Sequence, residues 1–182
     1  MVPDQNGTAV DSNFHPNDVS DHVGIERGFW TLYASGENSA REQVTEEIRR
    51  IISVYGSDPV YELSITITGH SLGAALALVS AYDVASLGLN SSVPISVISF
   101  AGPRVGNAAF KSKLHDELKV NVLRVVNARD VVPKVPGSLV SLLDDEATEQ
   151  VDDPAWYNVL HTLLHAAHPS YVHVGIALHL DN

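Results

Sequence analysis

An α/β domain built on a mostly parallel sheet with crossover helices is predicted by two observations. Short β-branched runs recur as "ELSITITG", "PISVISFAG" and "VNVLRVVNARD", and helical patterns fill the gaps between them. Strand, helix, strand, helix, strand is the order of a parallel sheet, because parallel neighbours need a crossover connection long enough to hold a helix. No internal repeat is present. A chain of 182 residues buries about 70% of its unfolded surface, enough for one core, so residues 1–182 are read as one domain.

Each element has its own reason. Residues 1–21 are polar and rich in Asn, Asp, Pro and Ser, the composition of a flexible lead-in. "HVGIERGFWTLYAS" is apolar and aromatic, but breaks at Gly24 and Gly28 leave its assignment open. Ser39 and Glu42 have capping-box spacing, and Val44, Ile48, Ile51, Ile52 and Tyr55 recur at helical intervals, giving an amphipathic helix that ends near Gly56. "SLGAALALVSAYDVASLGL" is a helix of small residues suited to close packing on a sheet, and "NAAFKSKLHDEL" is a second crossover helix. Residues 138–170 hold an acidic stretch and "AWYNVLHTLLHAAH", which admits a short helix; "SYVHVGIALHLD" closes the chain as a strand.

Charge and composition exclude several functions. Eleven basic and 22 acidic residues give a formal charge of −11, with six acids between Asp144 and Asp153, so nucleic acid is not an expected partner. With no cysteine, disulfide and thiolate chemistry are ruled out. No apolar run reaches the roughly 18 residues of a membrane span, and no targeting signal is legible near Met1.

Gly69-His70-Ser71-Leu72-Gly73 fits G-x-S-x-G and lies where a strand passes into a helix. In such an elbow the serine occupies a strained turn, and a side chain at either flanking glycine is expected to collide with its surroundings. Ser71 is then a nucleophile with its hydroxyl exposed above the carboxyl edge of the sheet. The Leu72 N–H, at the start of the helix, is the expected oxyanion donor. The alternatives are a plain glycine-flanked helix cap and a phosphate loop; the second fails because no lysine precedes the serine.

A serine hydroxyl needs a base, and the base needs an orienting acid. Asp130 follows the strand "NVLRVVN" and falls in a loop at the same edge; Asp83 and Glu62 fall on helix and strand and are poorly placed. His161, His165 and His168 share a helical face, but without an H-E-x-x-H arrangement no metal is expected there. No cofactor is implied.

At "TGHSLGAALA", "SFAGPRVGN" and "RVVNARDVVPKVPG" the sequence resembles the class 3 lipase family of α/β-hydrolases, most closely its plant phospholipase A1-type acylhydrolases. "RGFWTLYAS", "AREQVTEEIRRI" and "YVHVGIALHLD" extend the resemblance over most of residues 26–181. It implies hydrolysis of acyl esters in phospholipids, galactolipids or triacylglycerols, with Ser71 as nucleophile, Asp130 as acid, a lipid substrate and peripheral membrane contact. The compartment it implies is cytoplasm or plastid.

In the family an Arg-Gly-Thr-like strand precedes the "RGF" segment and gives the second oxyanion donor. The family's catalytic histidine follows the "HVG" strand. Here the lead-in is polar and the chain stops at Asn182, so the sheet and the active site are expected to be incomplete at both ends. His70 lies inside the elbow, where the family does not use its histidine as the base. His173, on the "HVG" strand, is the candidate substitute base, set against a packing or hydrogen-bonding role for a strand residue. The competing expectation is a catalytically incomplete fragment or pseudoenzyme that keeps the fold, with a binding role or none.

Overall fold

The computed structural model describes residues 22–58, 60–89, 93–130, 132–134 and 171–180, together with the strand pair β1 (Val2–Pro3) and β2 (Ala9–Val10). These two short strands pair antiparallel within the stretch read as lead-in. Residues 138–170, with the acidic stretch and His161, His165 and His168, lie outside the described residues.

The segment that sequence alone left open forms helix α1 (Arg27–Ala34). Gly28 does not break it, because the Glu26 side chain caps it by accepting from the Phe29 N–H at 2.8 Å, while Phe29 and Tyr33, four apart, are buried. Helix α2 (Ala40–Tyr55) starts where its capping signal places it, with the Ser39 hydroxyl accepting from the Glu42 N–H at 3.2 Å. Val44 and Ile48 turn its apolar stripe onto the core.

Strands β3 (Ile65–His70), β4 (Ile95–Phe100), β5 (Asn121–Asn127) and β6 (Ile176–Leu180) form one parallel sheet in that order. The last strand is shorter than its apolar run suggested, because Gly175, at φ 91, packs its α-carbon against Val122 and turns the chain before β6 begins. Helix α3 (Leu72–Ser86) links β3 to β4 and is buried almost all round; Ala74, Ala75, Ala77 and Ala81 permit its close approach to the sheet. Helix α4 (Ala108–Ser112) runs into a π-helical turn (Lys113–Glu117), where a continuous α-helix was expected. The Leu118 N–H reaches the Lys113 carbonyl at 2.9 Å, and the widened turn delivers Lys119, at φ 56, into β5.

Because the strand order follows the chain order, right-handed crossovers put α3 and α4 on one face, where Ile95, Val97 and Val122 meet Phe29, Tyr82 and Phe110 in the core. On the other face Ile98, Leu123 and Ile176 stand in one row and Phe100, Val125 and Leu178 in the next. Ile176 is 76% exposed and Leu178 49%. Parallel sheets are ordinarily covered on both faces; among the described residues, no helix covers this one.

Asn107 ties the amino-terminal segment to this scaffold. Its Oδ1 accepts from the N–H groups of Gly24 and Phe110, and its Nδ2 donates to the His22 carbonyl at 2.9 Å.

Candidate active site

Ser71 joins β3 to α3 at φ 54 and ψ −121, a conformation that costs a non-glycine residue about 1–3 kcal/mol. The strain is held in place on two sides. The Ser71 N–H donates to the Phe100 carbonyl at the tip of β4 (3.0 Å), and the Ser71 carbonyl accepts from Ala74 and Ala75. Although Ser71 is the N-cap of α3, its hydroxyl makes no capping bond, and Oγ is buried with no hydrogen-bond partner. The expected exposed hydroxyl is therefore corrected: the bond to Phe100 draws the elbow down against the neighbouring strand tip, and Ser71 is 9% exposed. A buried, unsatisfied hydroxyl is costly in a structure, and among the described residues Ser71 shares that state with Thr45 and Ser86.

The two glycines of the motif are not equivalent. A Cβ at Gly69 would overlap the Gly73 carbonyl, so glycine is required there by close approach. A Cβ at Gly73 would meet nothing within 4 Å, contrary to the collision expected at both positions, because Gly73 turns its α-carbon outward on the first turn of α3. His70 is exposed at the tip of β3. Leu72 and Gly73 open α3, so their N–H groups have no carbonyl four residues back and remain available to an oxyanion.

Asp130 sits three residues beyond β5, in a turn closed by its own N–H on the Asn127 carbonyl at 3.0 Å. Its Oδ1 accepts from the Val132 N–H at 2.9 Å, which fixes the carboxylate and leaves Oδ2 without a partner among the described residues. Ser71 and Asp130 thus share the carboxyl edge, with β4 between them. No hydrogen bond joins the two side chains, and a triad needs an imidazole bonded at each nitrogen between them.

His173 is not that imidazole in this arrangement. It lies in the segment entering β6, and its Nε2 bonds to the Pro133 carbonyl at 2.7 Å, joining this segment to the loop after Asp130. Burial, and then the positive charges of Arg124 and Arg104, hold its pKa down at about 4. None of the hydrogen bonds links Ser71, Asp130 and His173 to one another.

The His173 shift has a testable sign. Unfolded, the ring regains a pKa near 6.5, so between the two values the unfolded chain binds more protons and stability falls as pH falls. The contribution is complete above 6.5 and lost on approaching 4. The urea midpoint is expected to drop between about pH 7 and about pH 4.5, and His173→Gln is expected to flatten that part of the slope. An unchanged slope in the variant would show that the ring titrates normally in the folded chain.

The sequence model of the class 3 lipases matches residues 4–140 of the chain. The chain belongs to this family. Phospholipase A1 EG1, chloroplastic/mitochondrial, of Oryza sativa subsp. indica is 44% identical over 174 residues, covering 91% of this chain and 36% of the rice protein. Galactolipase DONGLE, chloroplastic, of Arabidopsis thaliana is 39% identical, covering 91% and 35%. The chain thus spans about a third of the length of these relatives.

Solved lipases share the fold. The MDLA protein of Penicillium cyclopium superposes with a TM-score of 0.57 at 26% identity, covering 91% of this chain and 45% of its own. A triacylglycerol lipase with a serine-protease-like catalytic triad superposes at 0.53 and 26% identity, covering 68% and 43%. The class 3 lipase family, its α/β-hydrolase fold and the likeness to plant phospholipases A1, all legible in the motifs, are borne out.

Proposed function

We infer that this domain is a serine acyl-ester hydrolase of glycerolipids, acting through an acyl-enzyme on Ser71. The observation that carries the reading is the Ser71 elbow: a strained, buried hydroxyl without a partner, at the amino end of α3 and on the same sheet edge as Asp130. A base removes the Ser71 proton as Oγ attacks the ester carbonyl, and the Leu72 and Gly73 N–H groups meet the oxyanion. Asp130, through Oδ2, holds the base in the correct tautomer. Collapse of the tetrahedral intermediate expels the alcohol, and water then releases the acid.

His173 remains the candidate substitute base, but a pKa of about 4 gives it little affinity for a proton at neutral pH. Its bond to Pro133 supports a bracing role for the Asp130 loop instead. The names of the relatives support phospholipid and galactolipid substrates, which would be met by peripheral contact with a lipid surface. Among the described residues no helix is long and apolar enough to cross a membrane.

The absence of a bond between Ser71, Asp130 and His173 favours a second reading, in which this chain keeps the fold but is catalytically silent. A fluorophosphonate probe with peptide mapping separates the two, read beside hydrolysis of a short-chain nitrophenyl ester. We expect labelling at Ser71 with feeble turnover. Labelling at another residue would move the nucleophile, no labelling would favour the silent domain, and fast turnover requiring both Ser71 and His173 would make His173 the base.

A further inference from the structure

Strands β3 and β4 leave the sheet together. Their last aligned pair is His70 and Phe100, and the next residue of each, Ser71 and Ala101, turns into the left-handed region at φ 54 and φ 51. That region is uncommon for any residue but glycine. Alanine has no polar side chain to offset the cost by a local hydrogen bond, as asparagine has.

The cause lies in one peptide group. The peptide joining Phe100 to Ala101 turns its carbonyl to the Ser71 N–H at 3.0 Å and its N–H to the Val125 carbonyl at 3.0 Å. A peptide unit is planar, so these two bonds make it a rigid plate held between the elbow and β5. The next residue is held too. A Cβ at Gly102 would overlap the Ser99 hydroxyl and press on the Ala74 side chain, so the Gly102 α-carbon is seated against the first turn of α3. The Ala74 N–H in turn donates to the Ser71 carbonyl at 3.0 Å. With the plate on one side and Gly102 on the other, the backbone torsions of Ala101 cannot relax without moving one of the two.

We propose that Ala101 is a positioning residue for Ser71: its left-handed turn holds the Phe100 carbonyl on the Ser71 N–H and so keeps Oγ placed for attack. The role rests on the reading of Ser71 as nucleophile.

The test is the rate at which a fluorophosphonate labels Ser71 in the Ala101→Gly, Ala101→Asn and Ala101→Val chains, each checked for folding by circular dichroism. Hydrogen exchange at the Ser71 amide is measured alongside. Glycine and asparagine accept positive φ, so both variants are expected to label at nearly the wild-type rate. Valine resists it, and Ala101→Val is expected to label about 10²-fold more slowly, the scale of a misplacement of about 1 Å, with faster exchange at Ser71. Asparagine is also bulkier than alanine, which separates backbone conformation from crowding. A merely structural role would lower the urea midpoint of Ala101→Val and leave labelling of the folded chain unchanged. The proposal is overturned if Ala101→Val labels as wild type does, or if Ala101→Asn is as slow as Ala101→Val. If the wild-type chain is not labelled at Ser71, the nucleophile reading fails and exchange decides. Faster exchange at Ser71 in Ala101→Val alone then keeps Ala101 as the residue that holds the elbow, and any other pattern overturns it.

Discussion

Exchanging Asp130 for asparagine is expected to lower ester turnover by up to about 10⁴-fold in any polypeptide where this domain is active, with substrate binding little changed. The amide keeps the bond to the Val132 N–H, which needs only an acceptor oxygen. It then presents an NH₂ group where the base needs an acceptor, so the imidazole is turned to the wrong tautomer. Ser71→Ala in the same background should leave only the uncatalysed rate, because no other hydroxyl occupies the strained position between Phe100 and α3. Steady-state kinetics separate these effects: a fall in kcat at constant KM supports an orienting acid. A mutant with near-normal kcat would place the acid elsewhere.

The parts of this domain legible in sequence are those decided by short-range pattern. The β-branched runs mark three strands, and the alanine-rich stretch after Ser71 marks α3, because periodicity reports which face is buried. Helix α1 was hidden by Gly24 and Gly28; what stabilises it is the Glu26 cap and the burial of Phe29 and Tyr33 against α3, a tertiary effect. The motif also located Ser71 without revealing its burial, which depends on the Phe100 carbonyl of the adjacent strand. The state of His173 was equally unreadable, since its low proton affinity arises first from burial and then from the charges of Arg124 and Arg104, all set by residues remote in sequence. Asn107 stands in the recognised "PRVGN" stretch, where its bond to the Phe110 N–H is an ordinary helix N-cap, but its bonds back to His22 and Gly24 have no sequence signal.

Asp83 shows the same limit with the larger consequence for stability. Sequence places it in the middle of an apolar helix, poorly positioned for catalysis. In the fold it is 4% exposed, and both of its oxygens are held by Arg41, 42 residues earlier, at 2.9 and 3.0 Å. The Tyr33 hydroxyl donates to it at 3.2 Å, so one carboxylate joins α1, α2 and α3 on the helical side of the sheet. Burial, and then the Asp83 charge, keep the Tyr33 phenol protonated well beyond the usual range. Removing one partner of a buried pair costs about 3–5 kcal/mol, and Arg41, at 31% side-chain exposure, recovers some hydration and sets the lower end. Against a total stability of about 5–15 kcal/mol, such a loss unfolds a large fraction of a marginal domain. Asp83→Ala is therefore expected to shift the urea midpoint strongly downward. Asp83→Ala combined with Arg41→Leu should recover part of the loss, since no buried charge is then left unpaired. If the double variant is as unstable as the sum of the two single ones, Arg41 and Asp83 contribute independently and the ion pair does not couple α2 to α3.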